Sequence, residues 1–112
     1  MSTKMTKEEL IKVKHEINRS TMYSLIGRSS KKMRGISLNY DEQFMTIEMF
    51  FDEKLTEEEE EEMEYAHAEV VSDIFPQIYD GGIKLVFKIC PANESILDKK
   101  GNLGWFYLRK EY

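Results

Sequence analysis

The chain has 112 residues, of which 41% are hydrophobic and 33% charged, a balance that excludes general disorder and fits one domain spanning 1–112. Its one cysteine, Cys90, excludes an internal disulfide and a multi-thiolate zinc site, and reads as a small buried hydrophobe in a strand. The net charge of −5 is unevenly laid out: residues 1–36 carry 9 Lys/Arg against 3 Asp/Glu, residues 37–80 carry 1 against 15, and residues 81–112 carry 6 against 3.

Thr6 followed by Glu9 is a capping-box signature, and Leu10, Val13 and Ile17 then recur at helical spacing. This predicts a first helix from about Lys7 to about Leu25, with Leu25 and Ile26 extending its apolar face and Gly27 as its stop. GRSSKK follows as a polar, basic loop. From Met33 the period changes to two. Ile36, Leu38 and Tyr40 alternate with Gly35, Ser37 and Asn39, and after a short turn at Asp41 and Glu42, FMTIEMFF places Ile47, Met49 and Phe51 on one face. The short connection predicts an antiparallel hairpin.

Thr56 and Glu59 form a second capping box, and the glutamates of the first turn complement the helix macrodipole. Met63, Ala66, Val70 and Ile74 fall on one stripe, so a second helix runs to just before Pro76, and YDGG after it reads as a tight loop. Ile83, Leu85, Phe87 and Ile89 alternate with Lys84, Val86, Lys88 and Cys90 as a third strand that Pro91 closes. After the polar connection NESILDKKGN, GWFYLRKEY supplies a fourth, with Trp105 and Tyr107 opposite Phe106 and Leu108. The expected fold is α+β in the order αββαββ, a four-stranded antiparallel sheet with both helices packed on one face. Phe44, Phe50, Val86 and Phe106 then fall on the second sheet face according to register, as a contact patch or covered by the first helix or a long loop.

Catalytic candidates are few. Glu64 and His67 make one Glu-x-x-His pair, whereas the di-iron sites that use this spacing need two copies and further carboxylates. No EF-hand, P-loop, dinucleotide-binding glycine pattern or nucleophile elbow occurs, so no catalytic residue, metal or cofactor is expected. Arg28, Lys31, Lys32 and Arg34 form a basic set, but without the interleaved aromatics of a single-strand binder or a helix-turn-helix motif, which disfavours nucleic acid. No apolar run approaches the roughly 20 residues of a membrane span, and the opening segment lacks a secretory signal's apolar stretch. A cytoplasmic protein that does not enter the membrane is the expectation.

The acidic block is the strongest functional signal. Six consecutive glutamates, Glu57 to Glu62, repel one another at helical spacings, and the only basic residue close in sequence is Lys54. A basic partner would convert that repulsion into affinity and a fast, salt-sensitive association. The predicted interface is Asp52, Glu53, Glu57, Glu58, Glu61, Glu64 and Tyr65, with Tyr65 as an aromatic anchor.

The ordered segments MRGISLNYD, FMTIEMFFDEKLTEEEEEEME, EVVSDIFP and GWFYLRKE resemble a family of small bacterial immunity proteins of polymorphic toxin systems, of the colicin or contact-dependent growth inhibition type. The resemblance covers about residues 25–111. It implies a non-catalytic cytosolic protein that binds one cognate toxin, in many cases a nuclease with a basic cleft, and occludes it sterically and electrostatically. The matching segments are framework, so the resemblance carries no site residue. The alternative is a non-catalytic adaptor or regulatory domain that uses the second sheet face, with homodimerisation as one form of it.

Overall fold

The computed structural model describes residues 5–28, 31–41, 44–74 and 82–109. Its elements follow the expected order: α1 (Lys7–Ser24), β1 (Met33–Asp41), β2 (Phe44–Phe51), α2 (Glu57–Ile74), β3 (Gly82–Ile89) and β4 (Trp105–Leu108). The expected turn residue Glu42, Ser29 and Ser30 of the basic loop, the stop at Pro76, most of YDGG and the end of GWFYLRKEY lie outside the described residues.

Both helices start as the capping boxes predict. The Thr6 hydroxyl accepts from Glu9 N–H at 3.1 Å while Glu9 Oε1 accepts from Thr6 N–H at 2.9 Å; Thr56 and Glu59 repeat the arrangement at 3.1 and 2.9 Å. These bonds hold Glu9 below the ordinary carboxylate value of 4.5, chiefly through the Thr6 backbone N–H and then its hydroxyl. At the other end of α1, Gly27 takes φ +80°, the left-handed conformation glycine adopts without strain. Leu25 is buried as expected, but Ile26 is 74% exposed and does not extend the apolar face. Instead Ser20, Thr21 and Ser24 are buried there, small side chains that let α1 lie close to α2. Ser20 Oγ donates to Asp73 of α2 at 2.9 Å.

The sheet corrects the expectation of an all-antiparallel arrangement. Its strand order is β3-β2-β1-β4; β1 pairs antiparallel with β2 and β4, but β2 and β3 are parallel, from Phe44↔Gly82 to Phe51↔Ile89. The reason is the connection: α2 carries the chain back along the sheet between β2 and β3, making a βαβ crossover, so β3 re-enters in the direction of β2. One core joins the stripes of α1 and α2 to a single sheet face, through Val13, Ile17, Met63, Ala66 and Val70 against Ile36, Leu38, Met45, Ile47, Met49 and Ile83. No helix among the described residues is long and apolar enough to cross a membrane.

The second sheet face is mostly closed by the chain segment that links β3 to β4. Phe50 is fully buried under Ile96, and its ring meets Trp105 edge-on at 5.2 Å. Phe106 turns to the helix side, leaving Phe44 and Val86 exposed. The cover is bolted down by Arg34. The register of β1 against β2 shifts between Met33 and Gly35, leaving Arg34 as an additional residue. Its guanidinium, 2% exposed, donates to the carbonyls of Cys90 at 3.1 Å and Pro91 at 3.0 Å.

Candidate partner-binding surface

Helix α2 turns four kinds of surface in four directions. Met63, Ala66, Val70 and Ile74 enter the core. One flank faces the basic loop after α1: Arg28 pairs with Glu62 at 3.4 Å and forms a short hydrogen bond to Glu69, while Lys32 Nζ meets Glu59 Oε1 at 2.7 Å. These contacts raise the pKa of Arg28, chiefly through the Glu69 hydrogen bond, and that of Lys32, chiefly through the Glu59 hydrogen bond. The opposite flank faces β3, where His67 Nε2 lies 2.8 Å from the Ile83 carbonyl and donates to it. What remains is a solvent crest.

That crest holds five of the seven residues predicted from sequence. Glu57, Glu58, Glu61, Glu64 and Tyr65 are all exposed, Tyr65 by 54%, because their spacing keeps them away from the buried stripe. Tyr65 Oη donates to Glu61 Oε1 at 3.3 Å, one turn back along the crest. Glu57, Glu58 and Glu64 have no ion pair among the described residues. Glu53 is exposed just before the helix. Asp52 is different: it is half-buried and pairs with Arg109 at 2.9 Å, which ties the end of β2 to the segment after β4.

The basic set is largely absorbed by the fold. Arg28 and Lys32 face α2, Arg34 holds the sheet cover, and Lys31 alone of the four side chains is exposed. Sequence order concealed this pairing, since Arg28 lies 41 residues from Glu69; the opposite charges of the first and middle thirds were the available signal. His67 is likewise occupied as a donor to the backbone, and no cluster of His, Cys, Asp and Glu suited to a metal ion occurs among the described residues.

Two helices packed on a four-stranded mixed sheet, with an acidic crest exposed on α2, define a small α+β protein. The chain belongs to the MafI2 immunity protein family, whose family model matches residues 4–111. Membership makes toxin neutralisation its class of function and a cognate toxin its class of partner, and such families are generally non-catalytic. No curated protein matches the chain.

Proposed function

We propose that this chain neutralises its toxin by laying the α2 crest, Glu57, Glu58, Glu61 and Glu64 around Tyr65, against a cationic surface of the toxin, with Glu53 at the rim. The observation that carries the reading is the division of charge on α2. Glutamates on one flank already have Arg28 and Lys32 as partners, whereas those on the crest are held at helical spacing with no ion pair among the described residues. Their mutual repulsion is relieved when a basic surface docks. Tyr65 supplies a large, stiff apolar body at the centre of that charge, the character of an interface anchor.

A toxin that acts on nucleic acid fits this surface best, because a row of carboxylates competes for the same cationic groups that hold phosphates. Neutralisation then needs no cofactor and no chemistry, only occlusion. It takes place in the cytoplasm, where a toxin would meet its target. Asp52, whose Oδ2 pairs with Arg109, lies at the border of this surface and not on the crest.

The test is titration of the cognate toxin domain, made with its activity disabled, against wild type and a Glu57→Lys, Glu61→Lys, Glu64→Lys variant. Loss of at least about a hundredfold in affinity is expected from three close charge pairs. Equal affinity for both proteins would remove the crest from the interface.

A further inference from the structure

Strand β3 is an edge strand, and its hydrogen-bonding edge is half open. Cys90 N–H donates to Phe51 O at 2.8 Å, so the even-numbered residues of β3 direct their backbone groups toward β2. The odd-numbered ones, Ile83, Leu85, Phe87 and Ile89, direct theirs outward. The Ile83 carbonyl confirms the alternation, because it is the one that His67 of α2 meets. From Leu85 onward no group among the described residues pairs with this edge.

Edge strands are commonly blunted by lysine, and β3 carries Lys84 and Lys88. Here both lean back over β2. Lys84 Nζ sits 4.1 Å from the centre of the Phe44 ring, and Lys88 pairs with Glu48 at 2.8 Å above Phe50. The edge is therefore unguarded by its own lysines, and Ile89 at its far end is 48% exposed.

What runs beside this edge decides its occupant. Glu60, Glu64, His67 and Val71 are spaced to share the flank of α2 that His67 fastens to Ile83. Because α2 runs back between two parallel strands, residues before His67 lie alongside residues after Ile83. By rise alone Glu64 lies about 4.5 Å and Glu60 about 10 Å beyond His67 along the helix, against about 6.6 Å and 13 Å from Ile83 to Leu85 and Phe87 along the strand, so the carboxylates and the strand run nearly in step. An open strand edge thus adjoins a row of carboxylates continuous with the crest.

We infer that an extended, cationic segment of the toxin adds to the sheet as a fifth strand along Leu85–Ile89, with its alternate Lys or Arg side chains facing Glu60 and Glu64. Backbone pairing supplies the shared affinity and the carboxylates supply the choice of segment. A second copy of this chain fits less well, since β3 would bring Leu85 and Phe87, not cations, to that side. The inference rests on the reading that the partner is a cationic toxin.

The experiment is residue-resolved amide hydrogen exchange on the ¹⁵N-labelled chain, alone and with the inactivated toxin domain. In the free protein the amides of Leu85, Phe87 and Ile89 exchange quickly while those of Lys84, Val86 and Lys88 are protected; the toxin slows the first three by about a hundredfold or more. Ile89→Pro, which removes an outward N–H at an exposed site, weakens binding by about tenfold, whereas Ile89→Thr, which keeps it, changes binding less than about threefold. Binding that leaves the three amides fast overturns the inference and spares the proposed function. Absence of binding overturns both, and protection that appears with the chain's own concentration, without toxin, assigns the edge to a second copy and overturns it as well.

Discussion

Arg34 carries a full charge at 2% exposure, and what its guanidinium holds is the end of β3. Replacing it with methionine keeps much of the volume but leaves the Cys90 carbonyl without its donor, a loss of about 2–3 kcal/mol that urea denaturation would register. Ser37 plays the matching part at the other end of the cover. Its buried hydroxyl accepts from Gly101 N–H at 2.7 Å and donates to Gly104 O at 2.8 Å. Gly101 passes so close to β1 that an added Cβ would stand 2.5 Å from the Leu38 carbonyl. Gly101→Ala must therefore displace backbone, and a loss of about 1–3 kcal/mol is expected in the same assay. None of this was legible in the sequence, where NESILDKKGN reads only as polar linker. Its packing depends on a bulge and on close approaches that leave no periodic trace.

On the scale of the element, α2 carries its internal ion pairs on one flank and the proposed toxin-binding crest on another. Thr56→Ala removes half of the capping box and should cost about 1 kcal/mol of stability, and Glu62→Gln or Glu69→Gln, each of which takes one of two carboxylate partners from Arg28, should also destabilise. Glu61→Gln and Glu64→Gln on the crest, beyond the first turn whose carboxylates complement the macrodipole, should do the opposite. They remove like-charge neighbours, so thermal unfolding should show a small gain in stability together with weakened toxin binding. The pH dependence differs at the two caps. Glu9 is held below its ordinary 4.5, so its contribution is complete above that value and disappears as pH falls through the lower, folded-state pKa. Lys32 is raised above its ordinary 10.5, so its contribution is complete below that value and is lost as pH rises through the higher one. Glu9→Gln, which removes the titrating carboxylate itself, should flatten the acid side of the stability profile, and Glu59→Gln the alkaline side. The helices themselves were plain in the sequence, since capping boxes and a 3.6-residue stripe are local signals. The partners of Arg28 and Lys32 were not, because charge pairing across two elements has no spacing rule.

At the scale of the molecule, strand direction was the feature that periodicity could not supply. Alternation reports which residues share a face and is the same for parallel and antiparallel neighbours. The 18-residue α2 between β2 and β3 was the available sign of a crossover. That topology gives the protein an open edge beside its acidic helix, and it makes the whole surface respond to salt in two opposed ways. In the free chain the crest glutamates repel, and shortening the Debye length from about 10 Å at 0.1 M salt to about 3 Å at 1 M relieves them. In the proposed complex the same glutamates would attract the toxin, and screening would remove that attraction. Sodium chloride should therefore raise the melting temperature of the free chain while slowing its association with toxin by about tenfold or more. Salt also weakens the flank pairs of Arg28 and Lys32 and acts on water generally, so the measurement is a difference. Wild type is compared with a Glu57→Gln, Glu61→Gln, Glu64→Gln variant, which keeps every flank pair. The variant should show a smaller rise in melting temperature with salt and a flatter association rate. Parallel salt responses in the two proteins would mean that the crest is a solvated surface and that the charge governing recognition lies elsewhere.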